Sequence, residues 1–228
     1  ELHQAMMDGV LYEGTTDEVD ARLYSLALQL GFALEYLHKC QCVHQDVKPT
    51  NILVDSNWRL VLMDFGVSSF GEAGEAGKVV QAPLRGCTPA FCSADVMAQF
   101  NTSKATGVLQ LCTHHADLWC FVSTVLDMYS GGVDGQWRDR EPLRTVWARR
   151  KSHQPSGGHF SRMPSGMWRI LEEVLANDQF TSTHLVDRLL GLNVPGAPGR
   201  PQGKDGIQGL HIAVMYDRIG ASLLDRNQ

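Results

Sequence analysis

The 228-residue chain contains no uninterrupted apolar run of 18 residues and opens on no charged-then-apolar leader, so it is expected neither to span a membrane as a helix nor to be secreted. Basic charge is also scarce. Twenty Lys and Arg against 25 Asp and Glu leave a net charge of −5, which excludes the electrostatic footprint of nucleic-acid binding or of attachment to an anionic membrane surface. An anionic ligand would have to be bound locally. Cysteine is sparse too: the six lie at positions 40, 42, 87, 92, 112 and 120, with no paired CxxC. That spacing excludes a disulfide framework and a structural zinc, and it implies reduced thiols in an intracellular, cytoplasmic protein.

Apolar content is not scarce. At 43% hydrophobic residues, a chain of this length buries roughly 70–75% of its unfolded surface, so disorder is excluded as the main state. The length suits one domain with a tail. The first residue is Glu1 rather than Met, from which a piece of a longer protein is expected.

Thr15 followed by Glu18 forms a capping-box pattern, and Val19, Leu23, Leu26, Leu30, Leu34 and Leu37 recur three or four residues apart, which predicts a long helix ending near His38. Ile52–Val54 and Leu60–Met63 flank Asp55-Ser56-Asn57-Trp58-Arg59 and predict a small hairpin. Val67 to Leu84, with Gly71, Gly74 and Gly77, predicts a mobile loop in which Ser68 and Ser69 are the phosphorylatable residues. From Ala116 to Tyr129 the chain is apolar on nearly every side, as in a helix buried all round, with Asp117 at its start placed to cap it or to accept bonds from nearby backbone. Helices are also predicted over Met167–Ala176 and His184–Leu190. Residues 194–209, with three Pro and five Gly, predict a flexible linker, and 210–228 a tail of unassigned structure.

The chemistry concentrates in His44-Gln45-Asp46-Val47-Lys48-Pro49-Thr50-Asn51, followed after the hairpin by Asp64-Phe65-Gly66. Asp46, Asn51 and Asp64 offer hard oxygen ligands and Lys48 a cation, a set suited to a magnesium-bound phosphate chain. The hairpin returns the chain, so the loops before and after it emerge at one end and their oxygens can converge. Isolated Asp residues commonly only terminate strands and turns. Four fixed residues in HxDxKxxN, however, coincide by chance at about one position in 10⁵.

These motifs resemble the C-terminal lobe of the eukaryotic protein kinases, over about residues 2–192. The resemblance extends to Thr88-Pro89-Ala90-Phe91-Cys92-Ser93-Ala94-Asp95, similar to the end of the kinase activation loop, and to Asp117-Leu118-Trp119, similar to the start of the buried central helix. It implies a mainly α fold with a small β-hairpin, the α+β C-terminal lobe, occupying residues 1–193. It further implies a serine/threonine kinase using ATP and Mg²⁺ on protein hydroxyls. Asp46 would accept or orient the acceptor hydroxyl, Lys48 would stabilise the transferring phosphoryl group, and Asn51 and Asp64 would hold magnesium. Thr88 would bridge Asp46 and Lys48, the serine/threonine pattern. His44, Phe65, Gly66, Asp95 and Asp117 would be structural supports, and His114 and His115 capping or surface residues rather than zinc ligands.

Gln45 stands where regulated kinases carry Arg, so activation-loop phosphorylation is not expected to be the principal switch. Ala94-Asp95 replaces Pro-Glu, and Asp178-Gln179-Phe180-Thr181-Ser182 lacks the later Pro and Arg; Asp95 either pairs elsewhere, for instance with Arg188, or the bridge is absent. No GxGxxG and no Val-Ala-x-Lys precede His44, so the N-terminal lobe is expected to be missing and this stretch alone to transfer phosphate poorly or not at all. Two other readings stay open: a scaffolding pseudokinase, and a small-molecule phosphotransferase of the aminoglycoside or choline type. Lys48, Asp-Phe-Gly and the Thr88 segment favour a protein acceptor over the latter.

Overall fold

The computed structural model describes residues 1–71, 81–130 and 163–194. Six helices are described: α1 (Leu2–Met7), α2 (Thr16–Lys39), α3 (Ala94–Thr106), α4 (His115–Ser130), α5 (Ser165–Ala176) and α6 (Ser182–Leu190). Six short strands form three antiparallel pairs. β1 (Cys42–Val43) pairs with β4 (Ser69–Phe70), β2 (Ile52–Val54) with β3 (Leu60–Leu62), and β5 (Gln81–Pro83) with β6 (Leu111–Thr113). The fold is mostly helical with small antiparallel sheets.

Helix α2 starts where its capping box lies: Thr15 N donates to Glu18 Oε2 at 2.7 Å, and Glu18 N donates back to Thr15 Oγ1 at 3.4 Å. Its leucine stripe is fully buried and packs against Leu118, Phe121 and Val125 of α4 and Leu185 and Leu189 of α6, all in one core. Where α2 crosses α6 the backbones approach over Gly31. A Cβ there would lie 3.2 Å from Leu189 Cδ1 and 3.6 Å from Val186 Cγ2. Tyr24 donates its hydroxyl to Leu189 O at 2.8 Å across the same interface.

The hairpin forms as its sequence predicts, with Ile52 opposite Leu62 and Val54 opposite Leu60. It is seated on α2 by Gln29, which donates Nε2 to Trp58 O and accepts at Oε1 from Leu60 N, both at 2.9 Å. Arg22 supports the turn from below, its guanidinium 4.5 Å from the Trp58 ring centroid and bonded to Leu11 O and Glu13 O. The turn end of the hairpin therefore has a fixed place relative to the long helix.

Three expectations change. The stretch 67–84 is not wholly loop: its described ends are strands β4 and β5, and Ser69 is buried, so it is not the exposed acceptor expected of it. Two- and three-residue strands are too short to carry a periodicity. Gly74, Gly77 and the linker and tail beyond Val194 lie outside the described residues. Helix α3 was not foreseen, because it buries only Ser103 and its apolar contact is limited to Val96 and Phe100 against a small second core; its ends are marked by Ser93 capping Val96 N at 3.2 Å and Gly107 closing it at φ 70°. His114 is not a surface residue.

His114 donates Nε2 to Phe180 O at 3.1 Å, and His115 lies 2.7 Å from Val174 O, joining the start of α4 to the α5–α6 turn. Beside them, His38 sits between Ser182 Oγ and Asp117 Oδ2, each at 3.0 Å. This polar core ties α2, α4 and α6 together by bonds with fixed direction, where leucine packing alone would allow sliding.

Two outcomes follow from this packing. Gly31→Val crowds the α2–α6 crossing and is expected to lower the unfolding free energy by about 1–3 kcal/mol in denaturant titration, with an unchanged m-value. Burial, with the His38 ring beside it, holds His114 down to about 4, whereas an unfolded histidine titrates near about 6.5. Between those values the unfolded chain takes up a proton that the folded chain refuses, so stability falls as pH drops through the window, by on the order of 3 kcal/mol once below it. His114→Gln, which keeps the donor to Phe180 O, is expected to flatten the loss of denaturation midpoint between pH 7 and 4.5.

Candidate active site

The loop after β1 is held from beneath by Asp117. Its carboxylate, fully buried in the first turn of α4, accepts from His44 N at 2.8 Å and from Gln45 N at 2.7 Å, besides meeting His38. Burial alone would raise this carboxyl. The bond and charge of His38 and the amide of His44 outweigh burial and hold it below the usual carboxylate range, so it is ionised. The grip lets Gln45 take φ 72°, a left-handed conformation costing a side-chain-bearing residue about 1–2 kcal/mol.

His44 joins this loop to the end of the hairpin. It donates Nε2 to Met63 O at 3.0 Å and accepts at Nδ1 from Asp46 N at 3.3 Å, while its ring meets Phe65 edge-on at 4.9 Å. Burial lowers its pKa against the pull of nearby Asp117, so the ring is neutral, as one donor and one acceptor require. The expected supporting positions of His44, Phe65 and Asp117 thus lie in one packed unit.

Asp46, Lys48, Asn51 and Thr88 come together above it. Lys48 Nζ donates to Asp46 Oδ2 at 2.7 Å and to Thr88 Oγ1 at 2.9 Å, and the Thr88 hydroxyl donates to Asp46 Oδ1. Thr88 therefore bridges the carboxylate and the ammonium. Asn51 Nδ2 donates to Asp46 O at 2.8 Å and Oδ2 at 3.1 Å. Spending the amide nitrogen this way leaves the amide oxygen as a ligand. Asp46 and Lys48 keep side-chain exposures of 15% and 22%, enough to meet a substrate.

Met63 N donates to Asn51 O at 2.9 Å, extending the hairpin ladder by one bond, so Asp64 begins one residue from Asn51's partner. Asp64 is exposed, at φ 63°, and its Oδ1 accepts from Gly66 N at 3.2 Å, a local bond that offsets the left-handed backbone. Asn51 and Asp64 supply only hard oxygens with free lone pairs, which fits Mg²⁺ in donor chemistry. Among the described residues no group of three or more His, Cys, Asp or Glu gathers as a metal site, the histidines 114 and 115 included.

Asp95 does not join this cluster. It lies exposed in the first turn of α3, and Arg188 pairs instead with Glu173 at 3.1 Å. The sequence reading missed two participants. His38 occupies the last turn of the leucine stripe, and its burial on that apolar face is a signal that a polar partner waits there. Gln45 stood out only for the charge it lacks, which gave no sign of its contacts; its amide bonds Pro83 O, Arg85 N and Gly86 N.

A family model described as Protein kinase domain matches residues 2–179. Ribosomal protein S6 kinase alpha-1 of Rattus norvegicus is 30% identical over 213 residues, covering 92% of this chain and 24% of that protein. The mitogen-activated protein kinase kinase kinase ANP1 of Arabidopsis thaliana is 31% identical over 143 residues, covering 62% of this chain and 19% of that protein. Serine/threonine-protein kinase fray2 of Dictyostelium discoideum is 27% identical over 168 residues, covering 73% and 15%. The chain thus spans about a quarter or less of the length of these relatives. The family match takes in the whole Asp46–Lys48–Asn51–Asp64–Thr88 constellation, and the chain belongs to the protein kinase domain family.

Proposed function

We infer that residues 1–193 form the C-terminal lobe of a serine/threonine protein kinase, which transfers the γ-phosphoryl group of ATP to protein hydroxyls. The observation that carries this reading is the Thr88 hydroxyl seated between Asp46 Oδ1 and Lys48 Nζ. A carboxylate and an ammonium this close, linked by a hydroxyl, can orient an acceptor hydroxyl and neutralise charge on the group it attacks.

Phosphoryl transfer passes through a loose transition state, so the protein's task is positioning and charge stabilisation more than covalent chemistry. Asp46 accepts the hydrogen bond of the acceptor hydroxyl. Lys48 stabilises the phosphoryl oxygens as charge spreads over them. Asn51 Oδ1 and the Asp64 carboxylate would hold Mg²⁺, which would supply charge neutralisation to the phosphate chain. Asn51 also keeps Asp46 in place through its own amide nitrogen.

A protein acceptor is favoured over a small molecule by the partnership of Lys48 with Thr88, which belongs to the segment on which an extended peptide would lie. The names of the relatives support the same reading: three of those above are called kinases, and one a serine/threonine-protein kinase. The ATP site further requires a glycine-rich strand hairpin and a strand lysine, neither of which occurs in the 228 residues. A second lobe supplying them is part of this proposal. No described helix is long and apolar enough to cross a membrane.

Transfer of labelled phosphate from ATP and Mg²⁺ to a protein acceptor, followed by phosphoamino-acid analysis, tests the reading in the complete protein. Phosphoserine and phosphothreonine are expected, and Asp46→Asn should lower kcat by about 10²–10⁴-fold with the fold intact. Wild-type rates in Asp46→Asn, or phosphotyrosine as the product, would overturn it. The 228-residue chain alone is expected to turn over at most a trace of ATP; robust turnover by it would remove the second lobe from the proposal.

A further inference from the structure

The bridge made by Thr88 depends on where the chain arrives from, and the residues just before it are gripped by a side chain whose role nothing above explains. Gln45 is 2% exposed. Its Nε2 donates to Pro83 O at 2.8 Å, and its Oε1 accepts from Arg85 N at 2.8 Å and Gly86 N at 3.4 Å. Its backbone is meanwhile anchored through N to Asp117 Oδ1. One buried amide thus connects the ionised carboxylate under the loop to the main chain two residues before Thr88.

We propose that Gln45 is a positioning residue: its neutral amide clasps residues 83–86 and thereby holds Thr88 against Asp46 and Lys48 without any phosphate on the segment. The significance of that placement for catalysis rests on the function inferred above; the clasp itself does not.

The chemistry of the contact selects glutamine. The segment presents a carbonyl at Pro83 and N–H groups at Arg85 and Gly86, so its partner must donate once and accept twice. An amide does both. Arginine has donors only and would leave the Arg85 and Gly86 N–H groups, the latter buried, without their acceptor, and glutamate cannot donate to the Pro83 carbonyl. A charge in so buried a place would carry a desolvation cost, which a neutral amide avoids.

Other contacts show that the grip is shared and local. Leu84 N donates to Gln110 O at 2.8 Å, and Ala82 pairs with Cys112 in the β5–β6 ladder, so the upstream end is also tied to the chain before α4. On the other side Gly86 lies against Val67, where a Cβ would come within 2.7 Å of Cγ1. The segment is therefore pinned between Gln45 and the residues following Asp-Phe-Gly, with no room for a side chain at 86.

The same stretch offers little to a phosphorylating enzyme. Between Asp64 and Thr88 the hydroxyl side chains are Ser68 and Ser69. Ser69 is buried in β4, and Ser68 donates to His44 O at 3.2 Å. Order in residues 83–88 comes from an uncharged contact that is always present, not from an added anion.

Hydrogen exchange resolved to single amides, on the 228-residue chain, tests the clasp directly. Gln45→Met keeps length and the left-handed backbone but removes both bonding atoms, and Gln45→Glu keeps the two acceptor contacts. In Gln45→Met, Arg85 and Gly86 should exchange at least 10-fold faster, and the Phe91 and Cys92 amides, which bond Thr88 O, should accelerate with them. The Leu60 and Met63 amides of the hairpin should keep wild-type rates. Gln45→Glu should retain most of the protection at Arg85 and Gly86. Unchanged exchange at Arg85 and Gly86 in Gln45→Met, or equal loss in both variants, would overturn the clasp.

In the complete kinase, Gln45→Met should lower kcat about 10-fold or more with KM for ATP within twofold, and Gln45→Glu should recover part of it. A wild-type kcat in a variant whose segment has loosened would overturn the positioning role. An inactive wild-type protein would instead count against the inferred function, since the exchange experiment decides the clasp without turnover.

Discussion

A single buried carboxylate sets the geometry of this chain. Asp117 carries its charge fully inside the protein, where an unpaired carboxylate would cost several kcal/mol, and it is kept ionised by two main-chain N–H groups and an imidazole. Those N–H groups belong to His44 and Gln45, the residues that start the loop leading to Asp46. Removing the carboxylate would leave three buried donors without partners, so loop and helix either keep their relation or lose it together. Every other part of the site is measured from that fixed point: His44 reaches the end of the hairpin, Asp46 follows His44, and Gln45 reaches the segment carrying Thr88.

Two kinds of force divide the work. Leucine packing between α2, α4 and α6 supplies most of the stabilisation but little direction, since apolar surfaces are indifferent to sliding by a fraction of a turn. Direction comes from polar side chains in the core whose donors and acceptors meet specific partners. Tyr24 on Leu189 O, His38 between Ser182 and Asp117, His114 on Phe180 O and Gln29 on the hairpin turn are of this kind. They stand where a wrong register would strand a buried donor, and the placement of the site inherits their precision.

That division also decides what could be read in advance. The leucine stripe, the capping box, the hairpin and the all-round apolar helix are local patterns, and the structure contains each of them within a few residues of its predicted place. Asp117 was legible as a group that accepts backbone bonds, because a lone acid opening an apolar helix has few other uses. The short strands β4 and β5 and helix α3 were not legible. The strands exist through partners 26 to 32 positions away in the chain, and α3 through caps at its two ends and the packing of Val96 and Phe100 on a core remote in sequence. In the site, residue types and spacing announced the cluster, while the bond from Thr88 to Asp46 crosses 42 positions and is visible only once folded. Gln45 is the extreme case: its identity shows a missing charge, but the partners of its amide lie 38 to 41 positions away.

The segment from Pro83 to Thr106 shows where this chain has moved its supports. In the family it resembles, an acidic residue at the position of Asp95 is bridged to a later arginine. Here Asp95 is exposed in the first turn of α3, and Arg188 is occupied with Glu173 on the neighbouring helices. An exposed ion pair would in any case contribute at most about 1 kcal/mol. Firmer contacts lie upstream, in the Gln45 amide, the buried Ala82–Cys112 pair at the centre of the β5–β6 ladder and the Ser123 hydroxyl 3.0 Å from Phe91 O. Support therefore concentrates on the side of Thr88 that faces the loop and thins toward α3. The residues nearest the Asp46–Lys48 pair are the best held, and the far end of the segment is left free to differ without disturbing them.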